Sequence, residues 1–287
     1  MQDFTKGRTE LMVRTKKVRR RRTKAAREAV IIPTEKNQPP KNLTDYCICL
    51  FGEKGVGKTS QVSEFPDSLI MMLEPRRRNL KIRQVNIQPM GMKQLNSENP
   101  TQTPWQLCQS YVEAILKDDS VKTVGIDTVD RLYEACLLHH CYHKGVGHPN
   151  DMNDYGSTWA LIKDDFESTL NKLLYAEKGL VFISHSTQAE QEELDGLMQC
   201  VPACSPACWK YIKAVCDFAV YYGYAGNERA MTIRGNDRIW SACGSEDHFL
   251  TKGGEPITRF KAGKSHKTAY KSLNAAFTNK LSDDQII

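Results

Sequence analysis

At 287 residues and 40% apolar composition, the chain can bury one sizeable core, with room for tails or a small accessory lobe. Its net charge of +6 is unevenly placed: residues 1–45 hold 13 Lys/Arg against 5 Asp/Glu, and the remainder is slightly acidic. No run of 18 apolar residues occurs, which excludes a membrane-spanning helix, and Cys47, Cys49 and Cys216 fall in apolar stretches as core residues rather than in a disulfide framework.

The first predicted segment is a basic arm over residues 1–42, densest from Arg14 to Lys24. Such a run repels itself, stays solvated and attracts polyanions, so nucleic-acid binding is preferred here over a merely solvated tail. Asp3, Glu10 and Glu28 argue against a transit peptide, and no apolar stretch follows for a secretory signal. Pro33, Pro39 and Pro40 mark a linker, and a folded core is expected over 43–245.

The apolar run Tyr46 to Phe51 reads as a buried strand, and Gly52-Glu53-Lys54-Gly55-Val56-Gly57-Lys58-Thr59 follows it. This is a complete phosphate-binding loop in its required context, with a helix expected from Ser60 to Phe65. Its glycines let the backbone curl so that successive N–H groups face phosphate oxygens, and the helix start adds partial positive charge. Residues 52–60 are therefore the nucleotide-binding candidates: Lys58 reaches the β- and γ-phosphates, and the Thr59 hydroxyl is a Mg²⁺ ligand.

Ser68 to Leu73 is a second buried strand, closed by Glu74 and Pro75. Residues 84–104 read as a loop or edge region, and Trp105 to Leu116 as an amphipathic helix. The strand Val121 to Ile126 ends in Asp127, a second Mg²⁺-associated candidate, with Asp130 a close alternative past the strand end. A helix follows over 129–138, then a polar stretch rich in histidine (His139, His140, His143, His148), whose spacing with Cys141 matches no standard zinc finger. Trp159 to Ala176 is helical again, and Gly179 to His185 is a fourth buried strand. Residues 186–209 lack periodicity; Pro202 and Pro206 prevent Cys200, Cys204 and Cys208 from lining up on one helix. Strand-like stretches at 218–224, 229–234 and 238–242 are spaced as antiparallel hairpins. Residues 246–287 read as a polar, basic tail.

Strands alternating with helices predict an α/β fold, a mainly parallel sheet flanked by helices, with a C-terminal antiparallel strand extension. Ligands of such sheets bind at the carboxyl ends of strands, where the phosphate loop, Glu74, Asp127 and His185 all fall.

Those residues, together with Phe65-Pro66-Asp67-Ser68-Leu69, Asp127-Thr128-Val129-Asp130-Arg131-Leu132-Tyr133 and Asp154-Tyr155-Gly156-Ser157-Thr158-Trp159, resemble the phage-type AAA ATPases of the RecA-like superfamily. The nearest resemblance is to RecA-like single-strand annealing proteins of bacteriophages, over about residues 43–245. It implies a RecA-like P-loop core that binds and hydrolyses ATP with Mg²⁺ in a host cytoplasm, binds single-stranded DNA and promotes annealing or recombination. It assigns Glu74 as the general base on the attacking water, Lys58 as the phosphate cation, and His185 as the γ-phosphate sensor that relays to DNA loops at about 136–157 and 186–209. Tyr142, Tyr155, Trp159 and Trp209 near those loops could stack on bases, with Trp159 and Trp209 equally suited to the core. A single-strand-binding protein and further copies of the chain are candidate partners. Arg76, Arg77 and Arg78 stand where relatives usually have a glycine nearby. The alternatives are a nucleotide kinase or phosphotransferase on the same loop, and a nucleotide-gated DNA-binding module with little turnover.

Overall fold

The computed structural model describes residues 32, 34–36, 38–74, 80–176, 178–191 and 196–287. The chain divides into units 1–38 and 39–287, and every described strand and helix belongs to the second. Most of the expected basic arm, and Arg76, Arg77 and Arg78, lie outside the described residues.

Three strands, β1 (Cys47–Gly52), β2 (Ser68–Met72) and β4 (Thr123–Asp127), are buried at every position. Continuous burial of this kind marks strands covered on both faces of a parallel sheet. With β3 (Gln84–Asn86), β5 (Gly179–Gln191) and β7 (Phe218–Ala225) they run parallel in the order β7-β1-β5-β4-β2-β3. β8 (Glu228–Thr232) and β10 (Arg259–Gly263) extend the β7 edge with antiparallel pairs. β6 (Leu197–Pro202) pairs with the outer half of β5, and the short β9 (Ala242–Cys243) with the start of β7. This is the mainly parallel α/β core with an antiparallel C-terminal extension that the sequence predicts.

One face of the sheet packs Phe51, Ile126 and Phe182 against Trp105 of α3 (Pro104–Ile115), Leu132 of α4 (Val129–Lys144), Phe166 of α5 (Ser157–Leu174) and Ile212 of α6 (Pro206–Val215). The other face packs Leu50, Ile183 and Tyr222 against Val62 of α1 (Lys58–Val62) and Leu273 and Phe277 of α7 (His266–Phe277). The small α2 (Met92–Glu98) lies beside α4.

Four expectations need correction. Residues 246–287 are not a polar tail. They supply β10 and α7, and Phe249, Phe260 and Phe277 are fully buried. Burying each of these rings contributes about 1.5–3 kcal/mol, and the apolar positions of α7 (Ala269, Leu273, Ala276, Phe277) face the core behind a lysine-rich outer surface. Residues 186–209 are not an aperiodic loop. They complete the β5–β6 hairpin and begin α6, because Pro206 occupies the first turn with Ser205 capping it, where a missing N–H costs nothing. The loop expected at 136–157 is shorter, since α4 runs on to Lys144 and stops at Gly145, which adopts left-handed φ 68°. The fourth is Arg238, which sits in a turn before β9 rather than on a strand; within 84–104, β3 is the edge strand that the edge reading allows, and α2 follows it.

Candidate active site

The loop begins where β1 runs into the backbone of β7. A Cβ on Gly52 would lie 1.9 Å from the Tyr222 carbonyl oxygen, so only glycine fits between these strands. Gly57, at φ 105°, turns the chain into α1. Lys58 then folds back across the loop, donating from Nζ to the carbonyls of Gly52 (2.7 Å) and Glu53 (2.9 Å), and is 6% exposed. The predicted nucleotide residues 52–60 thus form one continuous turn, with Glu53, Lys54 and Gly55 exposed at its outer edge and Ser60 half-buried on α1.

Asp127 ends β4 and is buried. Thr59 Oγ1, on α1, donates to Asp127 Oδ2 at 2.5 Å, although β5 lies between β4 and the β1 strand that leads into the loop. Two oxygens meeting at the end of a phosphate loop suit a hard divalent cation, which takes hydroxyl and carboxylate ligands. Just past Asp127 in sequence, Thr128 Oγ1 and Asp130 Oδ1 are buried without a partner among the described residues.

The register of three adjacent strands brings Glu74 and His185 together. Met72, Asp127 and Ile183 are level across β2, β4 and β5. Glu74 and His185 each stand two residues beyond that row, on the same side as Asp127 because side chains alternate. Their side chains bridge over the aspartate: His185 Nε2 lies 2.7 Å from Glu74 Oε1. His185 Nδ1 is buried and has no partner among the described residues. The backbone oxygen of His185 accepts from Ala203 N at 2.7 Å, tying the residue to the far end of the β5–β6 hairpin. All of Lys58, Thr59, Glu74, Asp127 and His185 therefore gather at the carboxyl edge of the sheet.

Two arginines escape a reading of the sequence alone. Arg131, on the first turn of α4, pairs with Glu134 at 2.7 Å. That pairing first, and the charges of Asp130 and Glu74 in addition, raise its already high pKa. Arg229, on β8, donates from Nε to the Val56 carbonyl at 2.9 Å and from Nη1 to the Lys264 carbonyl, so a cation braces the outside of the phosphate loop. A lone arginine on a strand gives no signal in sequence; only the strand order reveals its place.

The other singled-out clusters resolve into structure. Among the described residues, Cys136, His140 and Asp165 bring metal-ligand atoms within 4.8 Å of one another. Asp165, however, already accepts from Trp105 Nε1 (2.7 Å) and Gln109 Nε2 (2.9 Å) and lies 3.0 Å from His140 Nε2, so the group is a polar strut joining α3, α4 and α5. His139, bonded to Thr103 Oγ1 at 2.9 Å, has its pKa pushed down to about 4, first by burial and then by His143 and His140. Cys200 lies in β6, Cys204 in the following turn and Cys208 in α6. Trp209 packs edge-on against Trp240 at 4.4 Å, Trp159 is bonded to Asn150, and Tyr142 to Asn99. Of the four aromatics considered for base stacking, Tyr155 is the one fully exposed, in the α4–α5 loop.

Comparison with known proteins bears on this geometry. The pattern of the AAA domain family matches residues 44–242. No curated protein gives a match. Among solved structures, a KaiC-like protein from the hyperthermophilic archaeon Pyrococcus horikoshii OT3 is similar at 13% identity, with a TM-score of 0.37 over 67% of this chain and 79% of that one. No helix among the described residues is long and apolar enough to cross a membrane.

Proposed function

The chain belongs to the AAA domain family, which matches it over residues 44–242, and from that premise we propose that it is an ATPase that binds single-stranded DNA and promotes annealing or recombination in a bacterial host cytoplasm. The observation that carries this reading is the meeting of two side-chain pairs above the phosphate loop: Thr59 with Asp127, and Glu74 with His185. The first pair stands where a triphosphate's cation is held. The second stands where the γ-phosphate and its attacking water fall.

ATP enters along the N–H groups of residues 53–59, and Lys58 exchanges its loop carbonyls for phosphate oxygens. Thr59 and Asp127 would hold Mg²⁺, which would supply positive charge against the triphosphate. His185 turns from Glu74 toward the γ-phosphate, and Glu74 is left to orient the water and accept its proton. His185 belongs to the strand that continues into the β5–β6 hairpin. Its state therefore biases the hairpin, which replaces the expected 186–209 loop as the nucleotide-sensitive DNA element. The basic arm adds sequence-independent affinity for phosphates, and Tyr155 offers a stacking face.

Binding of a fluorescent single-stranded oligonucleotide tests this. A non-hydrolysable ATP analogue with Mg²⁺ should tighten binding by about tenfold, a usual size for coupling between two sites, and affinity should fall steeply with salt. Equal affinity with and without the analogue, or no binding at low salt, would overturn the DNA-binding part of the reading.

A further inference from the structure

Lys58, Thr59, Glu74, Asp127 and His185 are placed for the phosphates, the cation and the attacking water, and none of them reads a nucleoside. We propose that the nucleoside of the bound triphosphate lies over the carboxyl end of β7 and the amino end of β8, with its base stacked on Tyr224 and its phosphate end flanked by Arg229. This rests on the proposed nucleotide site and adds the half of it that those five residues leave undefined.

The direction follows from the sheet order. Thr59–Asp127 and Glu74–His185 mark the reacting end of the triphosphate, and their strands β5, β4 and β2 lie on one side of β1. A phosphate chain laid along the loop with its γ end on that side must leave toward the opposite neighbour, β7.

The β7 flank is built to receive an aromatic ring. Gly52 pairs with Tyr222 in the parallel register, so Tyr224 stands two residues above the first glycine of the loop. Alternation places it on the same face as Tyr222, which is fully buried in the core cluster that holds Val56. Tyr224 itself is 43% exposed, a large ring left in solvent at the end of the strand that neighbours β1. Arg229 is its cross-strand partner, and the guanidinium carbon lies 5.9 Å from the ring centroid. Two carbonyls fix that guanidinium, Val56 on the loop and Lys264 just past β10, while its Nη2 makes no hydrogen bond to a described residue. The end of β7 and the start of β8 thus present a fixed aromatic face and a fixed cation with a spare donor. A base stacks on such a face whatever its edge pattern, and a guanidinium suits phosphate or ribose oxygens. The ligand class is therefore a nucleoside 5′-triphosphate held by its base face.

The experiment uses the triphosphate of 2-aminopurine riboside, whose fluorescence is quenched on stacking, titrated with Mg²⁺ into the full chain and into Tyr224→Ala and Tyr224→Phe. Thermal unfolding of each variant checks that the fold is kept. The parent and Tyr224→Phe should bind and quench the probe. Tyr224→Ala should lose the quench and bind roughly tenfold to a hundredfold more weakly, the scale of one base–aromatic stack. Inorganic tripolyphosphate, its binding read by calorimetry, should bind all three with similar affinity, because the phosphate contacts are untouched. Unchanged quench and affinity in Tyr224→Ala would overturn the inference and leave the nucleotide site standing. A loss shared by Tyr224→Phe, or matched by an equal loss of tripolyphosphate binding, would assign Tyr224 to loop support and overturn it too. A parent chain that binds no nucleotide would instead fail the underlying reading.

Discussion

Replacing Lys58 by alanine removes the loop side chain placed to follow charge onto the β- and γ-phosphates, and ATP hydrolysis should fall by about a hundredfold to a thousandfold or more. The side chain is 6% exposed and its Nζ sits between the Gly52 and Glu53 carbonyls, so the cation is already positioned at the mouth of the loop before ATP arrives. In a site shielded from water a fixed charge acts far more strongly on developing phosphate charge than it would in solvent. ATP affinity should weaken as well, because the same ammonium binds the ground-state triphosphate. The loss of the two hydrogen bonds to the Gly52 and Glu53 carbonyls costs about 1–3 kcal/mol of stability, so the variant should remain folded at room temperature. Phosphate release and an ATP titration on the same preparation check both parts. Binding as tight as in the parent would remove Lys58 from the site.

Glu74→Gln separates binding from chemistry. The amide keeps an oxygen where His185 Nε2 now meets Glu74 Oε1 at 2.7 Å, so the geometry around the histidine survives. It cannot accept a proton from water. Hydrolysis should therefore drop by about 10²- to 10⁴-fold, the usual contribution of a positioned general base, while ATP affinity stays within about threefold, well under 1.4 kcal/mol. Single-turnover hydrolysis and equilibrium ATP binding read the two effects apart. Turnover close to the parent's would leave Glu74 as a hydrogen-bond partner of His185 and nothing more.

How much of the fold and the site is legible in the sequence depends on how local each signal is. The phosphate loop and Asp127 are readable because each lies at the end of a short apolar run, and the run and the polar residue are neighbours in sequence. Glu74 and His185 are individually nameable, but their meeting is not: it needs Met72, Asp127 and Ile183 to be level across three strands. Arg229 and Tyr224 are invisible as site residues because their relation to the loop passes through the order β8-β7-β1, which no spacing encodes. The C-terminal segment misleads for a related reason. Lysines on the outer face of α7 mask the Ala269, Leu273, Ala276 and Phe277 stripe, and a basic composition reads as a solvated tail. Pro206 misleads in the opposite direction, since a proline that breaks a helix interior is favoured at its first turn.

The most direct test of the account is steady-state ATP hydrolysis by the full chain with Mg²⁺, with and without single-stranded DNA, at low and moderate salt. The account predicts basal turnover that single-stranded DNA raises, a stimulation that fades as salt screens the phosphate contacts, and the loss of both in Lys58→Ala. Turnover indifferent to DNA at low salt would contradict the coupling of Glu74 and His185 to the β5–β6 hairpin, and the absence of any ATP turnover would contradict the catalytic site itself.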